Sequence, residues 1–132
     1  MPAMAQCRMV DGEAMDSRVA AYLEGRHHPQ KAMLPRVAYA AFSGGDVIGY
    51  IAGHRTNRFG YDGEVQYLYV ASAYRRQGIA TSLLRMLAGW FAQEGIERVC
   101  VNVNVDSPAA APFYSSRGAI PLNRYWYGWE KL

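Results

Sequence analysis

A mixed α/β chain is predicted, one sheet carrying helices on its faces, because two hairpin-forming strands are followed by a strand–helix–strand–helix–strand series. Three observations support that order. Apolar runs flank Ser43-Gly44-Gly45-Asp46, a hairpin signal. Residues Ile79 to Gln93 repeat their apolar side chains at helical spacing, and Val99 to Val105 is apolar at every second residue. With 132 residues, 51% of them hydrophobic, the chain suits one domain (1–132) with a real core.

Residues 1 to 10 show no clear period and read as a frayed start or a short edge strand. Asp11 to Glu24 fits a helix, with Met15, Val19, Ala20, Tyr22 and Leu23 near helical spacing and Gly25 to end it. Gly25 to Pro35, with His27, His28, Pro29 and Pro35, reads as a loop. Val37 to Phe42 and Val47 to Arg55 are the hairpin strands, and polar Thr56 to Gly63 is a connection. Glu64 to Val70 is the next strand and Ile79 to Gln93 the helix after it, broken by Gly95. Val99 to Val105 follows, with Asn102 and Asn104 on its second face. A short helix, Ala109 to Arg117, is closed by Gly118, and aromatic Tyr125 to Lys131 is the last strand. No repeat or linker is apparent.

No stretch of about 18 apolar residues occurs, and the N-terminus lacks the basic-then-apolar pattern of a signal peptide. A soluble, cytoplasmic protein without a membrane partner is expected. Two cysteines, Cys7 and Cys100, make no disulfide framework, and Cys100 in its apolar strand is expected to be buried, reduced and inert. The formal net charge of +3 suits an anionic ligand, while the scattering of the basic residues argues against a nucleic-acid partner. His27, His28 and His54 form no recognised metal spacing, so no metal is expected.

The most informative stretch is Arg75-Arg76-Gln77-Gly78-Ile79-Ala80, between the Glu64 to Val70 strand and the following helix. A strand, a glycine turn and a helix N-terminus aim unpaired N–H groups and the positive end of a helix dipole at one point, where phosphate is expected to bind. No Walker loop or three-glycine dinucleotide fingerprint is present. The run does meet Arg/Gln-x-x-Gly-x-Gly/Ala through Arg75, Gly78 and Ala80. About 35 residues later, Ser107-Pro108-Ala109-Ala110-Ala111-Pro112-Phe113-Tyr114-Ser115-Ser116-Arg117-Gly118-Ala119 carries Ala110, Tyr114 and Gly118 at the spacing of Asn-x-x-Ala-x-x-x-Tyr-x-x-x-Gly-Phe. In motif order and spacing the chain resembles the GNAT superfamily of N-acetyltransferases over roughly residues 36 to 132. It departs from the pattern at Ser107, where Asn is usual, and at Ala119, where Phe is usual.

That resemblance implies a mostly antiparallel sheet with helices on both faces. Its parallel fourth and fifth strands splay apart into a V-shaped cleft for acetyl-CoA. The N-terminal part is shorter than in that family, and this part normally builds much of the acceptor site. The resemblance assigns the CoA phosphates to Arg75, Arg76, Gln77, Gly78, Ile79, Ala80 and Thr81, and a contact to the pantetheine arm to Ser107. Main-chain groups of Leu68, Tyr69 and Val70 are expected to pair with the arm, one N–H polarising the thioester carbonyl at a strand bulge. Tyr114 is expected to protonate the departing thiolate. For an ordinary phenol that transfer is uphill by only about 2 kcal/mol.

Glu64 stands eleven residues before Arg75, the offset at which the histone-acetylating branch of the family holds its general base. Alternation places it on one face with Gln66, Leu68 and Val70; a solvated strand-end acid is the plain alternative. His54 is the second candidate base. Tyr125, Trp126, Tyr127 and Trp129 read as sheet-face residues, and also as candidates for the acceptor pocket or a homodimer seam. Together these readings describe an N-acyltransferase moving an acetyl group from acetyl-CoA to a primary amine, on a small molecule or a protein, in a ternary complex. The alternatives are a non-catalytic CoA-binding regulatory module of the same fold, or an acyltransferase acting on a protein or transfer-RNA-linked amine.

Overall fold

The computed structural model describes residues 6–9, 23, 33–103 and 109–132. Within them, one sheet is built from β1 (Gln6–Met9), β2 (Met33–Ser43), β3 (Asp46–Arg55), β4 (Gly63–Val70), β5 (Val99–Asn102), β6 (Ile120–Pro121) and β7 (Trp126–Trp129). The strands lie in the order β1-β2-β3-β4-β5-β7-β6, and only β4 and β5 run parallel. Helix α1 (Ile79–Gln93) joins β4 to β5, as the ordinary crossover of a parallel pair requires, and α2 (Ala110–Ser116) follows β5.

Ser43 pairs with Asp46, so the hairpin loop is Gly44-Gly45, with Gly44 at φ +62°. The edge-strand reading of the N-terminus agrees with β1, which pairs with Tyr39 to Phe42 at the margin of the sheet. β2 starts at Met33, which corrects the loop expected through Pro35. The proline falls in the irregular step between the Met33 and Arg36 pairs, where the ladder needs no N–H from it. Leu23, the one described residue of the predicted N-terminal helix, is helical and packs with Ala38, Ala52, Tyr50 and Tyr67. The other residues of that helix, loop residues 25–32 with His27 and His28, and Asn104 and Ser107 lie outside the described residues.

α1 buries Ile79, Leu83, Leu84, Leu87, Trp90 and Phe91 as one stripe against Val37, Tyr39 and Ala41 of β2, Ile51 of β3 and Val65 of β4. Six such side chains contribute on the order of 10 kcal/mol of burial. The helix comes close because the strands offer glycine beneath it: a Cβ on Gly63 would stand 2.7 Å from both Ile96 and Phe91. Both helices end alike. Gly95 and Gly118 adopt positive φ while the next N–H, of Ile96 or Ala119, returns to the carbonyl of Phe91 or Tyr114.

Two features of β4 shape the site. Ala52 pairs with Tyr67 but Gly53 with Val65, so Gln66 is an extra residue in a β-bulge. The bulge overturns the expected alternation: Val65, Leu68 and Val70 join the α1 core, whereas Tyr67 packs on the opposite face. Glu64 therefore does not share a face with Leu68 and Val70. β4 also pairs with β5 only at Gly63, Glu64 and Val65, and then runs on to Val70 while β5 ends at Asn102. The two strands part there, opening the V-shaped cleft. β5 ends at Asn102 with Val103 outside the strand, while residues 104 and 105 of the predicted Val99 to Val105 lie outside the described residues, and β7 is trimmed to Trp126–Trp129. The two-residue β6, which contains Pro121, gave no sequence signal.

Candidate active site

At the open end of the cleft, the chain leaves β4 through a short 3-10 turn, Ser72–Tyr74, and enters α1 at Gly78, whose φ of +82° suits glycine. The first helical bond runs from the Ser82 N–H to the Gly78 carbonyl, at 3.0 Å. The N–H groups of Ile79, Ala80 and Thr81 lie ahead of it and point out of the helix end. No acidic residue occupies the first turn, and among the described residues a Cβ built on Gly78 would meet nothing within 4 Å. Such an end favours an anion and leaves room for one, as a CoA diphosphate needs.

Arg75, Arg76, Gln77 and Gly78 are all exposed there. Arg75 Nε donates to the Val70 carbonyl at 2.9 Å, folding the guanidinium back over the end of β4, and Arg76 has φ +63°. Sequence reasoning missed another cation. Arg117, at the end of α2, donates to Thr81 Oγ1 and to Ser116 Oγ and lies 4.9 Å over the Phe113 ring. It immediately precedes Gly118 of the second signature, a position that the motif leaves unspecified.

Tyr114 is only 6% exposed; its ring meets Trp129 and Phe113 edge-on, at centroid distances of 5.8 and 5.3 Å. Burial pushes its phenol up to about 12. Leu68 and Val70 are half-buried and pack toward α1, so these side chains are structural, while their main chain borders the cleft beyond the bulge. Tyr69 is exposed on the other face, where its ring lies 5.4 Å from that of Tyr50.

Glu64 is 3% exposed, so the solvated strand-end acid is excluded. Its Oε1 accepts a 2.9 Å hydrogen bond from Arg58 Nε, and its Oε2 lies 3.7 Å from His54 Nε2. His54 is completely buried beside it. Arg58 went unnoticed in the sequence because it sits in a connection with no motif; only the strand register brings it over Glu64. Cys100, the register partner of Glu64 on β5, is fully buried, and its thiol is pushed up to about 12 by desolvation and then by the Glu64 charge. The inert reading of that cysteine agrees. Among the described residues, no three His, Cys, Asp or Glu side chains group as metal ligands, and no helix is long and apolar enough to cross a membrane.

A parallel strand pair that splays after three rungs, with a phosphate-type helix start at its open end, reproduces the architecture that the two motifs imply, and residues 7–119 match the acetyltransferase (GNAT) family. The chain belongs to this family. No curated protein matches the sequence. Solved GNAT-type structures share the fold. A GNAT-family acetyltransferase from Staphylococcus aureus Mu50 superposes with a TM-score of 0.72 at 13% identity, covering 95% of this chain and 98% of its own. An aminoglycoside acetyltransferase from an uncultured soil metagenomic sample gives 0.67 at 21% identity, covering 92% and 95%. The PaiA N-acetyltransferase of Thermoplasma acidophilum, solved in complex with coenzyme A, gives 0.63 at 20% identity, covering 75% and 62%. As a GNAT member the chain is an acyltransferase by family, and the departure at Ala119 fits its packing: the small residue is buried, and its N–H returns to the Tyr114 carbonyl at the end of α2.

Proposed function

We propose that this GNAT protein transfers an acetyl group from acetyl-CoA to a primary amine by direct attack in a ternary complex. The observation that carries the reading is the acid-free N-terminus of α1, clear of the described residues around Gly78, at the open end of the β4–β5 splay. Residues Arg75 to Thr81 would hold the phosphates there. The main chain of Leu68 to Val70 would align the pantetheine arm, and an N–H near the Gln66 bulge would stabilise the developing oxyanion. The attacking nitrogen gives up a proton to Glu64 as it bonds to the carbonyl carbon. The carbon–sulfur bond breaks, and the sulfur leaves with its electron pair, hydrogen-bonded by Tyr114. No enzyme nucleophile is needed, and Cys100, buried and protonated, is unsuited to be one. Holding both reactants in line supplies most of the acceleration.

Structural relatives include proteins named for aminoglycosides and for a peptide-bound NatC complex, so both small-molecule and protein amines belong in the test. Acetyl-CoA is incubated with four acceptors: a lysine-containing peptide blocked at its N-terminus, a peptide with a free α-amine, spermidine and kanamycin. CoA release and acetylated product are followed together. Turnover of any one supports the enzyme reading. Tight acetyl-CoA binding with no product from all four would favour the non-catalytic CoA-binding module.

A further inference from the structure

The Glu64 carboxylate lies in a transverse row on the face away from α1, where Arg36, His54, Glu64, Cys100 and Gly128 are successive register partners on β2, β3, β4, β5 and β7. The row sits one rung below the point where β4 and β5 part. A carboxylate this buried requires a charged or hydrogen-bonding partner, and Arg58 reaches it from outside the sheet. Arg58 belongs to the 3-10 turn Arg58–Gly60 between β3 and β4.

Contacts among the described residues hold that arginine and its turn. Its own N–H donates to Thr56 Oγ1 at 3.2 Å. Its guanidinium lies 4.3 Å from the Trp126 ring centroid, a cation–π distance. Phe59, next in sequence, takes φ +57° and meets the same indole edge-on at 5.5 Å. Positive φ is strained for an aromatic residue, and such strain persists only where surrounding contacts fix it. Trp126 begins β7 opposite Asn102, the first β5 residue past the last rung with β4, so Arg58 ties the β4 side of the sheet to the β7 side at the opening of the cleft. Its Nε is committed to Oε1, which leaves Oε2 as the oxygen on the His54 side.

We infer that Arg58 is a positioning residue: held on Trp126, it fixes the orientation of the Glu64 carboxylate so that this group takes the acceptor's proton as the amide bond forms. The inference rests on the proposed base role of Glu64. It concerns a residue outside both signatures.

The test compares Glu64→Gln, Arg58→Ala, Arg58→Lys, Trp126→Leu and the Arg58→Ala/Glu64→Gln double variant. Each is checked for cooperative melting and for acetyl-CoA affinity by calorimetry, then assayed with whichever panel amine the parent protein turns over fastest. Glu64→Gln and Arg58→Ala are expected to lower kcat by similar factors, on the order of ten- to a hundredfold, with KM for acetyl-CoA unchanged. The double variant should be within about twofold of Glu64→Gln alone, since both changes disable one unit. Arg58→Lys, which keeps the charge but loses the planar fork, should recover part of the rate, and Trp126→Leu should fall between. Full kcat in Arg58→Ala beside a slow Glu64→Gln, or factors that multiply in the double variant, would overturn the inference while leaving Glu64 as base. An unimpaired Glu64→Gln would remove the base role and the inference with it. If Arg58→Ala does not fold, full kcat in both Arg58→Lys and Trp126→Leu is the overturning result.

Discussion

Replacing Tyr114 by phenylalanine removes one hydroxyl from a side chain that is packed edge-on against Trp129 and Phe113, leaving both ring contacts in place. With its phenol pushed up to about 12, full proton transfer to a thiolate of ordinary acidity, near 8.5, is uphill by about 5 kcal/mol rather than about 2. The buried tyrosine is therefore better suited to donating a hydrogen bond to the sulfur than to surrendering its proton. A hydrogen bond to a charged group contributes about 1.5 to 3 kcal/mol, so Tyr114→Phe should lower kcat by roughly ten- to a hundredfold. Single-turnover acetyl transfer, at saturating acetyl-CoA and acceptor, measures that factor, and calorimetry should show acetyl-CoA affinity nearly unchanged. The parent protein should also show no loss of kcat attributable to this phenol below about pH 11. Equal single-turnover rates in the two proteins would refute the reasoning, as would a raised KM for acetyl-CoA with kcat intact.

Gly78→Glu places a carboxylate at the N-terminus of α1 and a side chain at φ +82°, so acetyl-CoA affinity should fall by on the order of ten- to a hundredfold; unchanged affinity in a folded variant would remove the phosphate assignment. Glu64→Gln should slow a lysine-type acceptor strongly at pH 7, recover as pH rises and free amine accumulates, and affect a low-pKa α-amine much less. The same factor at every pH and for both amines would make Glu64 structural. The Cys100 thiol, raised from 9.0 to about 12 in the fold, contributes stability that is complete below pH 9 and is lost as pH rises toward 12. Chemical denaturation across that window should show Cys100→Ala losing stability less steeply than the parent, and parallel curves would contradict the burial argument.

The geometry of the candidate phosphate loop was legible because it is local: a glycine that must take positive φ, small residues beside it and a helix start all lie within seven residues of one another, Arg75 to Thr81. The helix after it was legible to the residue, since its apolar stripe and terminating Gly95 are also local. Glu64 was found by its offset from that loop, but its surroundings were not. A single extra residue, Gln66, reverses which side chains of β4 face the core, and alternation in one strand carries no trace of a bulge that exists only relative to a partner. Proline misled at Pro35, where the irregular pairing of β2 and β3 tolerates it, and β6 is too short to have a period.

The sequence by itself determined the fold class, the family, the order of the main elements and the glycine-turned start of α1, and it named that start as the candidate phosphate site and Tyr114 as the candidate donor, because each depends on contacts between near neighbours or on fixed motif spacing. Only the tertiary structure decided that Glu64 is buried rather than solvated and that His54 and Cys100 flank it. The same holds for its pairing with Arg58 and for the approach of Arg117 to Thr81. Those facts depend on strand register and on the meeting of elements up to 36 residues apart, and register is specified where α1 packs on one face of β2, β3 and β4.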